Sequence, residues 1–151
     1  MDCLDFLFEA VANSLEAGAS QLVLDLGRKD GRVEVSLLDD GWGGDFSRAF
    51  EEGFSTKGGH GRGLWLLKEA CPDARLERVG SWTRLSYSFR EEDGGRPSTV
   101  LPFLFQRCQA GGASLTARSR GQVAIQEEFG DLDDAQTLAS ARRRMGIFDW
   151  K

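Results

Sequence analysis

At the start of the chain, hydrophobic residues recur with helical spacing. Leu4, Leu7, Phe8, Val11 and Leu15 make one stripe, which predicts an amphipathic helix over residues 3–17 closed by Gly18 as a C-cap. Glu9, Asn13 and Glu16, at i, i+4 and i+7, share another face of that helix. The period then changes to two. Leu22, Leu24 and Leu26 alternate with less apolar neighbours, as do Val33, Val35 and Leu37. Two antiparallel strands follow, linked by the hairpin-like Gly27-Arg28-Lys29-Asp30-Gly31, with their apolar face under the first helix.

The second strand runs into Leu38-Asp39-Asp40-Gly41-Trp42-Gly43-Gly44, an open glycine-rich loop with reachable carboxylates. Phe46 and residues 47–52 predict a short helix or turn. Next comes Gly53-Phe54-Ser55-Thr56-Lys57-Gly58-Gly59-His60-Gly61-Arg62-Gly63-Leu64, a polar loop that opens a helix ended by Pro72. Glycines at 59, 61 and 63 let the backbone approach a ligand closely, and the helix start favours an anion there, with Lys57 nearby. A plain tight turn explains the same residues equally well. Leu76 with Val79, then Leu85 with Tyr87 and Phe89, predict two more strands joined across Gly80-Ser81.

The polar run from Arg90 to Pro97 divides the chain into residues 1–92 and an α+β extension over 96–151. In the extension, Ser98 or Thr99 is a candidate helix cap, with Pro102 in the first turn and Gly111-Gly112 at the end. Residues 114–119 and 122–128 read as a hairpin across Arg120-Gly121. A last helix opens with Asp133 and Gln136 in capping-box spacing and ends with Arg142-Arg143-Arg144 before Gly146, which matches the helix dipole. The extension carries no chemical motif. It extends the sheet, covers the pocket or docks a partner.

Composition narrows the classes. The chain has 151 residues, is 40% hydrophobic and 28% charged, and carries a net charge of −5, which suits one compact domain with a small appendage. Its acidic balance argues against a nucleic-acid surface. No stretch approaches the roughly 20 apolar residues of a membrane span, and the acidic opening Met1-Asp2-Cys3 is unlike a secretory signal. Cys3, Cys71 and Cys108 are odd in number and lack metal-ligand spacing, as expected of reduced thiols in a cytoplasmic protein.

Taken together and in order, the motifs resemble the GHKL superfamily, the ATP-binding domains of gyrase-type topoisomerases, MutL mismatch-repair proteins and sensor histidine kinases. The resemblance rests on Glu9-x-x-x-Asn13, on Asp39-x-Gly41-x-Gly43 and on Gly59-x-Gly61-x-Gly63, and covers roughly residues 3–90. The first box looks most like MutL. The loop from Phe54 to Leu64 looks most like histidine kinases with a very short lid.

The resemblance implies a Bergerat-type, histidine kinase-like ATPase fold. This is an α/β (α+β) two-layer sandwich with helices on one face of a mixed, mostly antiparallel sheet. It implies ATP and Mg²⁺ as ligands. Asp39 then accepts a hydrogen bond from the adenine amino group while Gly41 and Gly43 pass beside the base. Asn13 ligates Mg²⁺. Thr56, Lys57, Gly59, His60, Gly61, Gly63 and Leu64 surround the phosphates, Thr83 lies on the closing strand, and Glu9 is the catalytic carboxylate that activates water or an acceptor hydroxyl.

The chain has no room for a phosphoacceptor hairpin, and its one histidine, His60, falls in the phosphate loop, so classical histidine autophosphorylation is not expected. A stand-alone ATPase or kinase-like switch acting on a protein partner, or a non-hydrolysing ATP-binding adaptor, fits the residues. No nucleic-acid or membrane partner is implied. The layout is also similar to small ATP-binding proteins encoded beside iron-only hydrogenases. A lid as short as residues 54–59 leaves nucleotide exposed, so affinity is expected on the order of −4 to −8 kcal/mol.

Overall fold

In a computed structural model, residues 2–41, 50, 63–119, 123–125 and 134–148 are described. After a 3₁₀ turn at Cys3–Asp5, α1 (Phe6–Glu16) leads into β1 (Gln21–Lys29) and β2 (Arg32–Asp39). Beyond residue 62 come α2 (Gly63–Ala70), β3 (Arg75–Val79), β4 (Trp82–Arg90), α3 (Pro97–Ala110), β5 (Ser114–Ser119), β6 (Val123–Ile125) and α4 (Ala135–Met145). The strands make one six-stranded sheet in the order β3-β4-β2-β1-β5-β6. Among the described strands only the β1–β5 pairing is parallel, so the sheet is mixed and mostly antiparallel.

Alternation along the strands decides which face the helices cover. Leu22, Leu24 and Leu26 of β1, Val33, Val35 and Leu37 of β2, and Leu85, Tyr87 and Phe89 of β4 are all buried on one side. Leu4, Leu7 and Val11 of the N-terminal helical segment close over them with Leu67 of α2 and Leu101 and Leu104 of α3. The opposite face carries Asp25, Ser36, Arg84, Ser86 and Ser88, all partly exposed. The architecture is therefore an α+β sandwich of two layers.

Several local expectations need correction. Phe8 is 41% exposed, and Phe6 and Ala10 take its place in the core stripe. The strands continue through residues 27–29, so the hairpin link is only Asp30-Gly31, with φ of 55° and 77°. Two consecutive left-handed residues make the tight turn that a twisted hairpin prefers, and Asp-Gly tolerates it. Helix α3 starts at Pro97 with Arg96 as N-cap and no side-chain cap bond, so neither Ser98 nor Thr99 caps it. Pro102 then lies in the second turn, where its ring is buried among the core residues. Asp134, not Asp133, caps α4: its carboxylate accepts from the Thr137 amide at 2.9 Å. The expected segment over 47–52 lies outside the described residues apart from Phe50.

Residues beyond 96 join the same sheet. The Ser114 amide donates to the Ser20 carbonyl at 2.9 Å, and β5 then runs alongside β1 with Leu22 opposite Leu115 and Leu24 opposite Ala117. Parallel neighbours need a crossover, and α3 supplies it across the helical face. Leu101, Leu104, Phe105 and Cys108 of α3 share the core with α1 and the sheet, and α4 packs on α3 through Met145. The three cysteines are free and buried. Cys3 and Cys71, far apart in sequence, bring their sulfurs within 3.8 Å, and burial pushes the Cys71 thiol up to about 12.

A core shared in this way unfolds as one unit. Leu104, fully buried, should cost about 2–5 kcal/mol when truncated to alanine. Urea unfolding of Leu104→Ala should show one transition shifted as a whole. A second transition, with the first left in place, would show that the extension folds apart.

Candidate functional site

The core-facing positions of the sheet form rows, and the rows differ in one respect. Leu24, Leu37, Leu85 and Leu76 stand side by side across β1, β2, β4 and β3. One step toward the end of β2 the register places Leu22, Asp39, Thr83 and Arg78 side by side. An apolar surface therefore ends in a polar row spanning three strands. Asp39 is 8% exposed and Thr83 6%, among few buried polar side chains in the described residues.

Helix α1 completes this end. Ser14 lies on its inward stripe, one turn after Ala10, and donates from Oγ to Asp39 Oδ2 at 2.8 Å. The Ala10 carbonyl is also within reach of Ser14 Oγ, at 3.1 Å. The hydroxyl has one proton, and the carboxylate is the stronger acceptor. The Gly41 amide donates to Asp39 Oδ1 at 2.9 Å. Gly41 can do so because the chain leaving β2 runs against the end of α1. A Cβ there would meet the Ala19 nitrogen at 3.0 Å and the Ala17 oxygen at 3.1 Å.

Both oxygens of Asp39 thus have a donor, yet the group pays for its location. Burial raises its carboxyl above the ordinary carboxylate range. The bonds from Ser14 and Gly41 oppose that shift, the neighbouring Asp40 charge adds to it, and the Arg78 charge opposes it more weakly. Asp40 has a different task. Hydrogen bonds from the Gln21 amide and from the Ser20 hydroxyl and amide hold its carboxyl below the usual range and fix the start of β1. Of the two carboxylates expected to be reachable, one is buried and the other is a structural clamp.

Glu9 and Asn13 lie on the exposed side of α1, one turn apart. The start of α2 comes directly against Glu9: a Cβ on Gly63 would sit 2.1 Å from Glu9 Cγ. A side chain at position 63 would force the Glu9 side chain to shift, so glycine lets the start of α2 stand directly beside Glu9. Leu64, the next residue, packs half-buried against the core. Thus Glu9, Asn13, Asp39, Gly41, Gly63, Leu64 and Thr83 are described, whereas Gly43, Thr56, Lys57, Gly59, His60 and Gly61 lie outside the described residues.

Two members of the site were not anticipated. Ser14 was detectable as the polar position on the stripe of Leu7, Ala10 and Val11. Arg78 follows from the alternation that turns Leu76 inward, which also turns Arg78 toward Thr83. Its guanidinium Nη1 donates to Thr83 Oγ1 at 3.2 Å. Among the described residues, every buried side-chain nitrogen and oxygen has a hydrogen-bond partner. Comparison of the chain with protein-family models and with curated proteins finds no match.

The network suits an amide as well as a carboxylate. In Asp39→Asn the Oδ1 still accepts from Gly41, while the new NH₂ donates to Ser14 Oγ and the Ser14 proton turns to Ala10. The wild-type carboxyl binds its proton more readily folded than unfolded, so its native stability falls as pH rises through the window between the two pKa values. Asp39→Asn should therefore be at least as stable as wild type at pH 7, with the gap closing as pH falls through that window. Denaturant melts across pH check this. A loss above about 2 kcal/mol at pH 7 would mean that the charge itself holds the fold.

Proposed function

We propose that this chain is a stand-alone Mg-ATP-binding protein of the GHKL type, with a Bergerat-type arrangement, acting as an ATPase or protein-kinase-like switch on a partner protein. The observation that carries the reading is the buried Asp39 carboxylate at the end of a central strand, walled by α1 and by the Gly41 turn. A buried charge that the fold could replace with an amide calls for a ligand that needs an acceptor. An exocyclic amine such as the adenine amino group is that ligand, and a guanine carbonyl facing Asp39 is rejected.

The rest of the site is consistent with a nucleoside triphosphate. Phosphates would lie toward the start of α2, where a helix N-terminus and its dipole favour anions. Asn13 offers one exposed oxygen on the adjoining helix face. Among the described residues no group of three or more His, Cys, Asp or Glu could hold a metal ion. A single protein oxygen suits Mg²⁺, which takes most of its ligands from phosphate and water and neutralises phosphate charge. Glu9, beside Gly63, would orient or deprotonate the attacking water or acceptor hydroxyl.

Calorimetric titration of ATP, ADP and GTP, each with Mg²⁺, into wild type and Asp39→Asn tests the pocket. Adenine-selective binding that the folded variant loses is the expected result, and no binding to folded wild type would contradict the reading. Glu9→Gln should then retain ATP binding and lose at least about 100-fold in turnover, the scale of general-base catalysis. Equal turnover in Glu9→Gln would remove Glu9 from the chemistry. Binding without turnover in either protein would make the chain an adaptor.

A further inference from the structure

Arg78 lies on the edge strand β3, directly across from Thr83, which lies directly across from Asp39. A threonine hydroxyl can donate its single proton or accept one, so alone it reads no polarity in a ligand. Here the Arg78 guanidinium donates to Thr83 Oγ1 at 3.2 Å. With an N–H and a positive charge in front of one lone pair, the hydroxyl proton points away from Arg78. Thr83 is then held as a donor beside Asp39, which is held as an acceptor. The two side chains present an acceptor–donor pair in fixed order.

We propose that Arg78 is a specificity-determining positioning residue, which fixes Thr83 as a proton donor so that the Asp39–Thr83 pair accepts the edge of adenine and rejects that of 6-oxopurines. The proposal rests on the adenine reading above. Adenine offers an amino donor next to the ring acceptor N1, complementary to Asp39 and Thr83 in turn. Hypoxanthine offers an acceptor O6 next to a donor N1–H, which opposes both. A water between Thr83 and N1 preserves the direction, because it accepts from one and donates to the other. Without Arg78 the Thr83 hydroxyl can rotate and accept from N1–H, which relieves one of the two mismatches.

The test is titration of Mg-ATP and Mg-ITP into wild type, Arg78→Ala, Arg78→Lys and Arg75→Ala. Arg75 shares the edge strand with Arg78 but lies on the opposite face, 3.7 Å from Glu77, and controls for general charge. Wild type should prefer ATP. Arg78→Ala should shrink the ATP/ITP affinity ratio about fivefold or more, chiefly through retained or improved ITP binding. Arg78→Lys should recover part of the ratio, and Arg75→Ala should leave it unchanged. Thermal melts establish that each variant is folded.

An equal loss for ATP and ITP in Arg78→Ala would make Arg78 a plain electrostatic contact with phosphate and overturn the proposal, as would an unchanged ratio. Those outcomes leave ATP selectivity and the role of Asp39 standing. Absence of nucleotide binding to wild type would instead remove the underlying reading and this inference with it.

Discussion

The interaction on which the site depends is the hydrogen bond from Ser14 to Asp39, 2.8 Å long and buried where the apolar face of the sheet ends. It joins the first helix to a central strand at the one level where the sheet turns polar. Moving α1 by one residue so that Leu15 replaced Ser14 would leave a buried carboxylate facing an apolar side chain, so the bond favours the observed helix register. That register leaves Glu9 and Asn13 outward, on the side where Gly63 meets Glu9. One buried contact therefore orients the outward side of α1, with Glu9 and Asn13, as well as its core side.

The energetics of this end of the molecule differ from those of the rest. Elsewhere the sheet is held by burial of Leu, Val, Tyr and Phe against Leu4, Leu7, Val11, Leu67 and Leu104, a non-directional force that grows with area. At the polar row stability is given up to keep a charge out of water. Local sacrifice of this kind is common where side chains are arranged for a ligand rather than for packing. The extension beyond residue 96 fits the first role. Its α3 and β5 widen the core and lengthen the sheet at β1, on the opposite side of the sheet order from β3 and Arg78.

Periodicity made the framework legible. Helical spacing revealed α1, two-residue alternation revealed β1, β2, β3 and β4, and glycines at 18, 80 and 112, all with positive φ, punctuated them. What it could not show was which elements meet. The parallel pairing of β5 with β1 depends on a crossover whose destination no local pattern encodes. The proximity of Cys3 to Cys71, 68 positions apart, has the same origin. In the site, the roles of Asp39 and Asp40 separated only once burial and partners were known, since two adjacent acids look alike in sequence. Arg78 became a site residue only when register set it across from Thr83. Phe8 belonged to the stripe by spacing but is exposed, because the buried stripe of α1 is centred on Leu7, Ala10, Val11 and Ser14, and Phe8 lies off that face.

The central claim is that Asp39 is buried as an acceptor for a ligand's amino group, and the titration of that one carboxyl tests it most directly. Carbon-13 NMR of the Asp39 carboxyl, followed against pH in the free protein and in the protein saturated with Mg-ATP, gives the two pKa values. The free carboxyl should titrate above the ordinary carboxylate range, because burial raises it. The complex should titrate lower, since a donated hydrogen bond favours the charged form. ATP that binds while leaving the Asp39 titration unmoved would place the base elsewhere and contradict the account.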